Sequence, residues 1–438
     1  MQNTAINSEQ GQTHIGEEMY NFISELYPIN RSITGNGFRE TMERIRDHIP
    51  LTVHEVQSGR KVFDWTVPKE WNINDAYVKN SSGKKVIDFK KSNLHILAYS
   101  VPVNRKVTLN ELKEHLFTIP EHPDWIPYRY SYYKENWGFC LSYNDYKKLN
   151  DKEYEVYIDS SLEDGSMTYG EYYIKGELTD EVLISCTACH PSLCNDNLSG
   201  IALTTFLAKQ LNSYPLRYSY RFLFLPAAIG PIAWLCNNEP ITERIKHGVV
   251  LVCAGDPGNS TYKKSRIGNA EIDRAFEHIL KQSGQDYSIL EFVPYGYEER
   301  QYCSPGFNLP VGCLMRTPHD CYPEYHTSAD NLDLVKPEYL ADSYFKCLSA
   351  FNIIEHNNKY LNLNPKCEPQ LGKRGLYRQI AGEADSRNSE LPMLWVLNYS
   401  DGNHSLLDIA EKSNISFEDL KRAVEALSKS GLLEKISE

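Results

Sequence analysis

Three short apolar runs, separated by segments of helical periodicity, restrict this chain more than any other feature. Val182-Leu-Ile-Ser-Cys186, Tyr220-Arg-Phe-Leu-Phe-Leu225 and Gly248–Cys253 have the length and near-unbroken apolarity of strands covered on both faces. The stretches Ser199–Leu211 and Ile229–Asn237 between them read as helices. Strand, crossover helix and parallel strand form the unit of an α/β fold. The expected architecture is therefore a mixed, largely parallel sheet with helices on both faces. Ligands of such sheets collect outside the carboxyl ends of the strands, so the loops after Cys186, Leu225 and Cys253 belong to one rim.

At 438 residues the chain exceeds the range in which a single core keeps growing, and its texture changes along its length. Glu17–Ile49 shows helical periodicity through Met19, Phe22, Ile23 and Leu26, then through Phe38, Met42 and Ile45, with a Gly/Asn-rich loop between. From Thr52 to Thr168, alternating segments such as Tyr154-Glu-Val-Tyr-Ile158 are broken by Pro and Gly, which marks a β-rich insertion. It holds Trp65, Trp71, Trp125 and Trp137 and an aromatic run, Tyr128-Arg-Tyr-Ser-Tyr-Tyr133, that suits packing or a ligand groove. After a polar stretch at Gly382–Glu390, helical patterns at Leu394–Tyr399, Asp408–Lys412 and Phe417–Ser430 have the layout of a winged helix-turn-helix. Ser416 is the expected N-cap of the last helix, with Asp419 at its N3 position and Gly431 closing it. The expected domains are 1–51 and 169–385 for the main α/β body, 52–168 for the insertion and 386–438 for the winged helix.

Charge excludes some functions. The formal net charge is -12, which repels nucleic acid and anionic membrane alike. Acidic residues outnumber basic ones across the tail, so its expected role is protein contact or a homo-oligomer surface, with nucleic acid not an expected partner. Met1–Ile15 lacks the charged-then-apolar pattern of a secretory signal. No run approaches the roughly 20 apolar residues of a spanning helix. A cytoplasmic location with no membrane contact is expected. The cysteine count is odd, at eleven, and Cys186-Thr-Ala-Cys189 with Cys194 has no second pair to complete a zinc ribbon; buried thiols are expected.

Chemistry concentrates in two segments. Cys189-His-Pro-Ser-Leu-Cys-Asn-Asp-Asn-Leu-Ser-Gly200 puts His190 and Asp196 between a buried strand and a helix start. Pro323-Glu-Tyr-His-Thr-Ser-Ala-Asp330 delivers His326 from far along the chain. Imidazole and carboxylate are the ligand types of a hydrolytic zinc.

These strings resemble those of the M28-type aminopeptidases, which are co-catalytic zinc exopeptidases. More closely, the chain resembles bacterial aminopeptidase-like proteins with a β-rich insertion and a C-terminal winged helix. The likeness runs through Arg31-Ser-Ile-Thr-Gly-Asn-Gly37, Phe63-Asp-Trp-Thr-Val-Pro-Lys-Glu-Trp71, His190-Pro-Ser192, Asp196-Asn-Leu-Ser-Gly200, Glu299-Arg-Gln-Tyr-Cys303, Tyr325-His-Thr327 and Leu371-Gly-Lys-Arg-Gly-Leu-Tyr377. It implies His190 as the first histidine ligand, although the family's His-x-Asp is here His-Pro-Ser. It implies Asp196 as the carboxylate bridging two zincs and His326 as the last histidine ligand. Asp256 is the nearest match to a further carboxylate ligand.

The departure falls after the second apolar run, where the family carries two adjacent glutamates, a general base and a ligand. This chain has Ala227 and Ala228, which neither accept a proton nor bind a metal. Ala227 is either a natural loss or an introduced substitution, and a chain without the base is a poor peptidase by the family mechanism. Arg266, Glu299, Arg300 and Tyr302 fall where the family arranges substrate contacts, with Glu299 also a stand-in base; ordinary ion pairs in a charged loop are the alternative. The implied function is zinc-dependent hydrolysis of an aminoacyl or small peptide-like amide, with one or two zinc ions or none. The alternative is a catalytically dead ligand- or partner-binding module on the same scaffold.

Overall fold

The computed structural model describes residues 9–376 and 386–436. The first residues of the N-terminal segment, Tyr377 and the first part of the polar stretch expected at 382–390 lie outside them. The chain forms two compact units, one from residues up to Asp273 with Gln285–Cys347, the other from Arg274–Gly284 with Leu348 onward. No helix of the described residues is long and apolar enough to cross a membrane.

The first unit is organised by an eight-stranded sheet. Its centre is Glu181–Thr187, flanked in parallel by Ser219–Leu225 on one side and Ile245–Leu251 on the other. Val311–Met315 continues the parallel set beyond Ile245–Leu251, while antiparallel pairings add Ser166–Ile174 with Thr52–Gln57 at one edge. At the other edge Ser260–Lys263 pairs antiparallel with Val311–Met315 and parallel with Tyr287–Leu290. The two inner strands are buried at every position, as their unbroken apolarity predicts. Helix Ser199–Leu211 makes the crossover from the central strand and is itself almost wholly buried. The next strand then lies on the opposite side of Glu181–Thr187, so strand order reverses there and opens a crevice at the carboxyl ends.

Within the insertion, Glu70–Lys79, Glu153–Glu163, Lys85–Asp88 and Val103–Thr108 form a separate four-stranded antiparallel sheet. Thr52–Gln57 and Ser166–Ile174, at the two ends of the stretch read as insertion, instead belong to the main sheet. Neither carries the unbroken apolarity of the central strands, so sequence texture alone does not separate them from the inserted ones.

The second unit pairs a three-stranded antiparallel sheet with helices Ser386–Tyr399, Leu406–Ser413 and Phe417–Lys429. The Ser416 side chain accepts the Asp419 N–H, and Gly431 has a left-handed φ of 71°. The sheet's middle strand is Lys359–Asn362, upstream of the expected tail boundary. Four residues are too few to show a period, so the sequence pattern does not mark this strand.

Candidate functional site

The loop after the central strand is shaped by its own side chains. Asn197 Nδ2 donates to the carbonyls of Thr187 (3.1 Å) and Leu251 (3.2 Å), at the ends of two adjacent strands. Its Oδ1 accepts the N–H groups of Gly200 and Cys253. Ser199 Oγ donates to the Asn195 carbonyl and accepts the Ala254 N–H, while Asn195 binds Gly255 N–H and Asp256. A Cβ at Gly200 would lie 2.4 Å from the Leu251 carbonyl oxygen, so the helix start tolerates no side chain. Each polar residue of Asn195-Asp-Asn-Leu-Ser199 except Asp196 is used to tie strand ends together, and the buried Asp196 carboxylate is left to meet two histidines.

His190 is fixed by the N-terminal loop. Fully buried Arg31 donates from Nε to the His190 carbonyl (2.9 Å) and from Nη1 to the Leu26 carbonyl (2.7 Å). Ser192 Oγ donates to the Tyr27 carbonyl. His326 arrives on a loop stitched to the insertion: its carbonyl accepts the Tyr128 N–H at 2.8 Å, and Ser328 exchanges hydrogen bonds with Ile126. Asp330 closes the arrangement by accepting the N–H groups of Asn195 (2.5 Å) and Asp196 (2.9 Å). The Tyr128 ring packs edge-on against both His190 and His326, at centroid distances of 5.5 and 5.2 Å.

His190, Asp196 and His326 therefore meet, with one ligand atom from each lying within 4.8 Å of the others. His326 Nε2 is 2.9 Å from Asp196 Oδ2, and His190 Nδ1 is 3.9 Å from Asp196 Oδ1. The last two atoms are buried and have no hydrogen-bond partner. Burial holds the His190 imidazole neutral, its pKa lowered to about 4. Two imidazoles, a carboxylate and two orphaned buried atoms fit a divalent cation. Asp256 contributes nothing here, because its carboxylate is taken up by Asn195, Gly258 and Thr317.

His190 and His326 line a cavity of about 500 Å³, together with Thr187, Ala227, Ala228, Glu298 and Arg300. Tyr130, Tyr132, Tyr295, Tyr297 and Tyr325 form much of its wall. Exposed rings of Trp65, Tyr130, Tyr133 and Tyr295 stand at its margin. The four residues expected to touch substrate separate. Arg300 lines the cavity, and its Nε is buried without a partner. Glu299 is buried outside it, ion-paired to Lys263 at 2.8 Å. Tyr302 is a core residue whose hydroxyl donates to Ser185 Oγ (3.0 Å). Arg266 lies on the exposed surface against Asn308. Ala227 and Ala228 both line the cavity, and Cys189 Sγ accepts the Ala227 N–H at 3.2 Å. Burial pushes that thiol up to about 12, which leaves it inert as a nucleophile.

Residues 20–357 match a family described as a domain of unknown function, DUF4910, and residues 358–435 match a winged helix-turn-helix family. The chain belongs to DUF4910. A Clostridium acetobutylicum protein named "Putative polysaccharide biosynthesis protein with aminopeptidase-like domain" is 58% identical over 429 residues, 98% of each chain. The crystal structure of a "putative peptidase" from C. acetobutylicum, 56% identical, superposes with a TM-score of 0.94 and covers 99% of this chain and 100% of its own. BSAP, a zinc aminopeptidase from Bacillus subtilis, reaches a TM-score of 0.57 at 12% identity, covering 77% of this chain and 94% of its own. That likeness is one of fold: the DUF4910 part has the M28-type aminopeptidase architecture that the sequence strings imply.

Three residues matter more in this DUF4910 site than their sequence context suggests. Arg31 and Asp330 lie inside recognised strings, but only the fold reveals that they hold the His190 and Asp196 loops by hydrogen bonds to the backbone. Glu298 sits one residue before Glu299 and, unlike it, lines the cavity. Adjacent acidic residues at the start of a one-turn helix point in different directions, and composition does not say which.

Proposed function

We propose that this chain is a single-zinc, aminopeptidase-like hydrolase of small amides carrying an aminoacyl or peptide-like group. The observation that carries this reading is the meeting of His190, Asp196 and His326 beside the cavity, with two donor atoms buried and unpaired. These three residues hold the metal; Ala228 supplies no further ligand and Asp256 is committed elsewhere, so one ion is expected. Bound zinc supplies a polarised carbonyl and a water of lowered pKa. Arg300 offers its guanidinium to a substrate carboxylate or other anionic group. The tyrosine walls accept flat or ring-shaped groups and limit water at the floor. A sugar face stacks well on such rings, and the relative named for polysaccharide biosynthesis makes a sugar-linked amide the first class to test. Eleven free cysteines accord with a reducing, cytoplasmic setting.

Ala227 and Ala228 favour a second reading, a module that binds such a ligand without turning it over. The zinc-loaded chain should be assayed against aminoacyl anilides, dipeptides and N-aminoacyl amino sugars. Hydrolysis that chelation abolishes and zinc restores supports the hydrolase. Tight binding without turnover, together with turnover gained by Ala227→Glu, supports the binding module instead.

A further inference from the structure

We propose that Glu298 is the proton-carrying carboxyl of this cavity, doing from the opposite loop what a glutamate at Ala227 would do. The inference rests on the hydrolase reading above and deepens it. Among the described residues lining the cavity, Glu298 is the one carboxylate, and it shares that lining with His190, His326, Ala227 and Ala228. It is 2% exposed, so its carboxyl has little access to bulk water. Thr187, the last residue of the central strand, donates its hydroxyl to Glu298 Oε1. Oε2 is buried and has no partner at all.

A carboxyl held by one oxygen and left bare at the other costs stability unless something else meets it. Glu298 lines the cavity, so a small rotation of its side chain brings that oxygen to the cavity's contents. Its neighbour Glu299 also has a buried, unpartnered Oε2, but it does not line the cavity, and its charge is met by Lys263 and the Tyr297 N–H at Oε1. Ala227 and Ala228 present only methyl groups, so no second carboxylate competes for a proton there. The Thr187 anchor also registers Glu298 to the ligand loop, because the Thr187 carbonyl accepts from Asn197, next to Asp196. Burial pushes the Glu298 carboxyl up to about 7, against the downward pull of the Thr187 hydrogen bond. A group poised near neutrality both takes and returns a proton efficiently.

The step balances without a further reagent. A water O–H proton passes to the Glu298 carboxylate while the remaining hydroxide oxygen bonds to the amide carbonyl carbon. The C–N bond then breaks, and the leaving nitrogen takes the proton back from Glu298. Water and amide become acid and amine, and Glu298 ends ionised as it began.

The test is Glu298→Gln in the zinc-loaded full chain, since the amide keeps the shape and an oxygen for Thr187 to bond. The expected result is a kcat about 10²–10⁴-fold lower, with zinc content near wild type, a melting temperature no lower than wild type, and loss of the acid limb of the kcat profile. In the zinc-free chain, a protonated-carboxyl infrared band titrating near pH 7 should vanish in the variant. A wild type that hydrolyses amides and a Glu298→Gln protein within about threefold of it overturn the role of Glu298 and leave the hydrolase standing. A zinc-loaded wild type that hydrolyses nothing overturns the hydrolase reading and this role with it. Should Glu298→Gln not fold, Thr187→Val decides: removing the donor must move the acid limb to higher pH, and an unmoved limb rejects the proposal.

Discussion

Burial decides what each charged group near the cavity does. The Glu298 carboxyl, with an ordinary value of 4.5, is pushed up to about 7 in the fold, so between those pH values the native chain binds more protons than the unfolded one. Its contribution is fully present at low pH and is lost as pH rises through 7. In the zinc-free chain, Glu298→Gln should therefore raise stability by up to about 3 kcal/mol at pH 8 and leave it unchanged below pH 4, as read by urea unfolding. Arg31 shows the converse: burial costs its charge, and two carbonyl partners offset that cost. Arg31→Met leaves the buried His190 carbonyl without its donor and takes one of two donors from the Leu26 carbonyl, which keeps the Ile29 N–H. A loss of about 2–5 kcal/mol and weaker zinc binding are expected from denaturation and calorimetry. At this scale the sequence was informative for residue types and poor for directions. That His190, Asp196 and His326 come together was legible because each sits in a distinctive string and the three are of metal-ligating types. Glu298 was not, because nothing in Glu298-Glu299 says which carboxylate faces a cavity and which meets Lys263.

Elements bring these residues together through their ends. The central strand stops at Thr187, where Asn197 binds its carbonyl and that of Leu251, so the ligand loop is braced by the sheet. Asp330 then locks the His326 loop to the same backbone. Asp330→Ala releases two buried N–H groups; zinc affinity should fall at least about tenfold although no ligand is touched. Retained affinity in a titration would show that the loops are positioned by other means. In the second unit, Ser416→Ala removes the cap of helix Phe417–Lys429 and should cost about 1 kcal/mol. The central strands and their crossover helix were readable because apolar period and length agree there. Strand Lys359–Asn362, the edge strand Thr52–Gln57 and its neighbour Ser166–Ile174 were not, because their partners lie far along the chain and pairing, not period, defines them.

For the whole molecule, fold and activity are separate matters. The aminopeptidase architecture and the winged helix were legible from long strings and charge-independent patterning, yet neither specifies a substrate or a partner. The winged helix illustrates this. On its helix Phe417–Lys429, Arg422 pairs with Asp419 at 3.1 Å and Lys421 reaches Asn352 at 3.2 Å, so these cations are not free for phosphates. Fluorescence polarisation with duplex DNA at about 0.1 M salt should give no retention; binding that weakens steeply with salt would reassign the unit. Zinc stoichiometry of the purified and of the chelated chain decides whether His190, Asp196 and His326 form a metal site. One tightly bound zinc per chain is expected, lost on both His190→Ala and His326→Ala while the fold persists. A chain that takes up no zinc, or that holds it equally well without those histidines, has no metal site at this place.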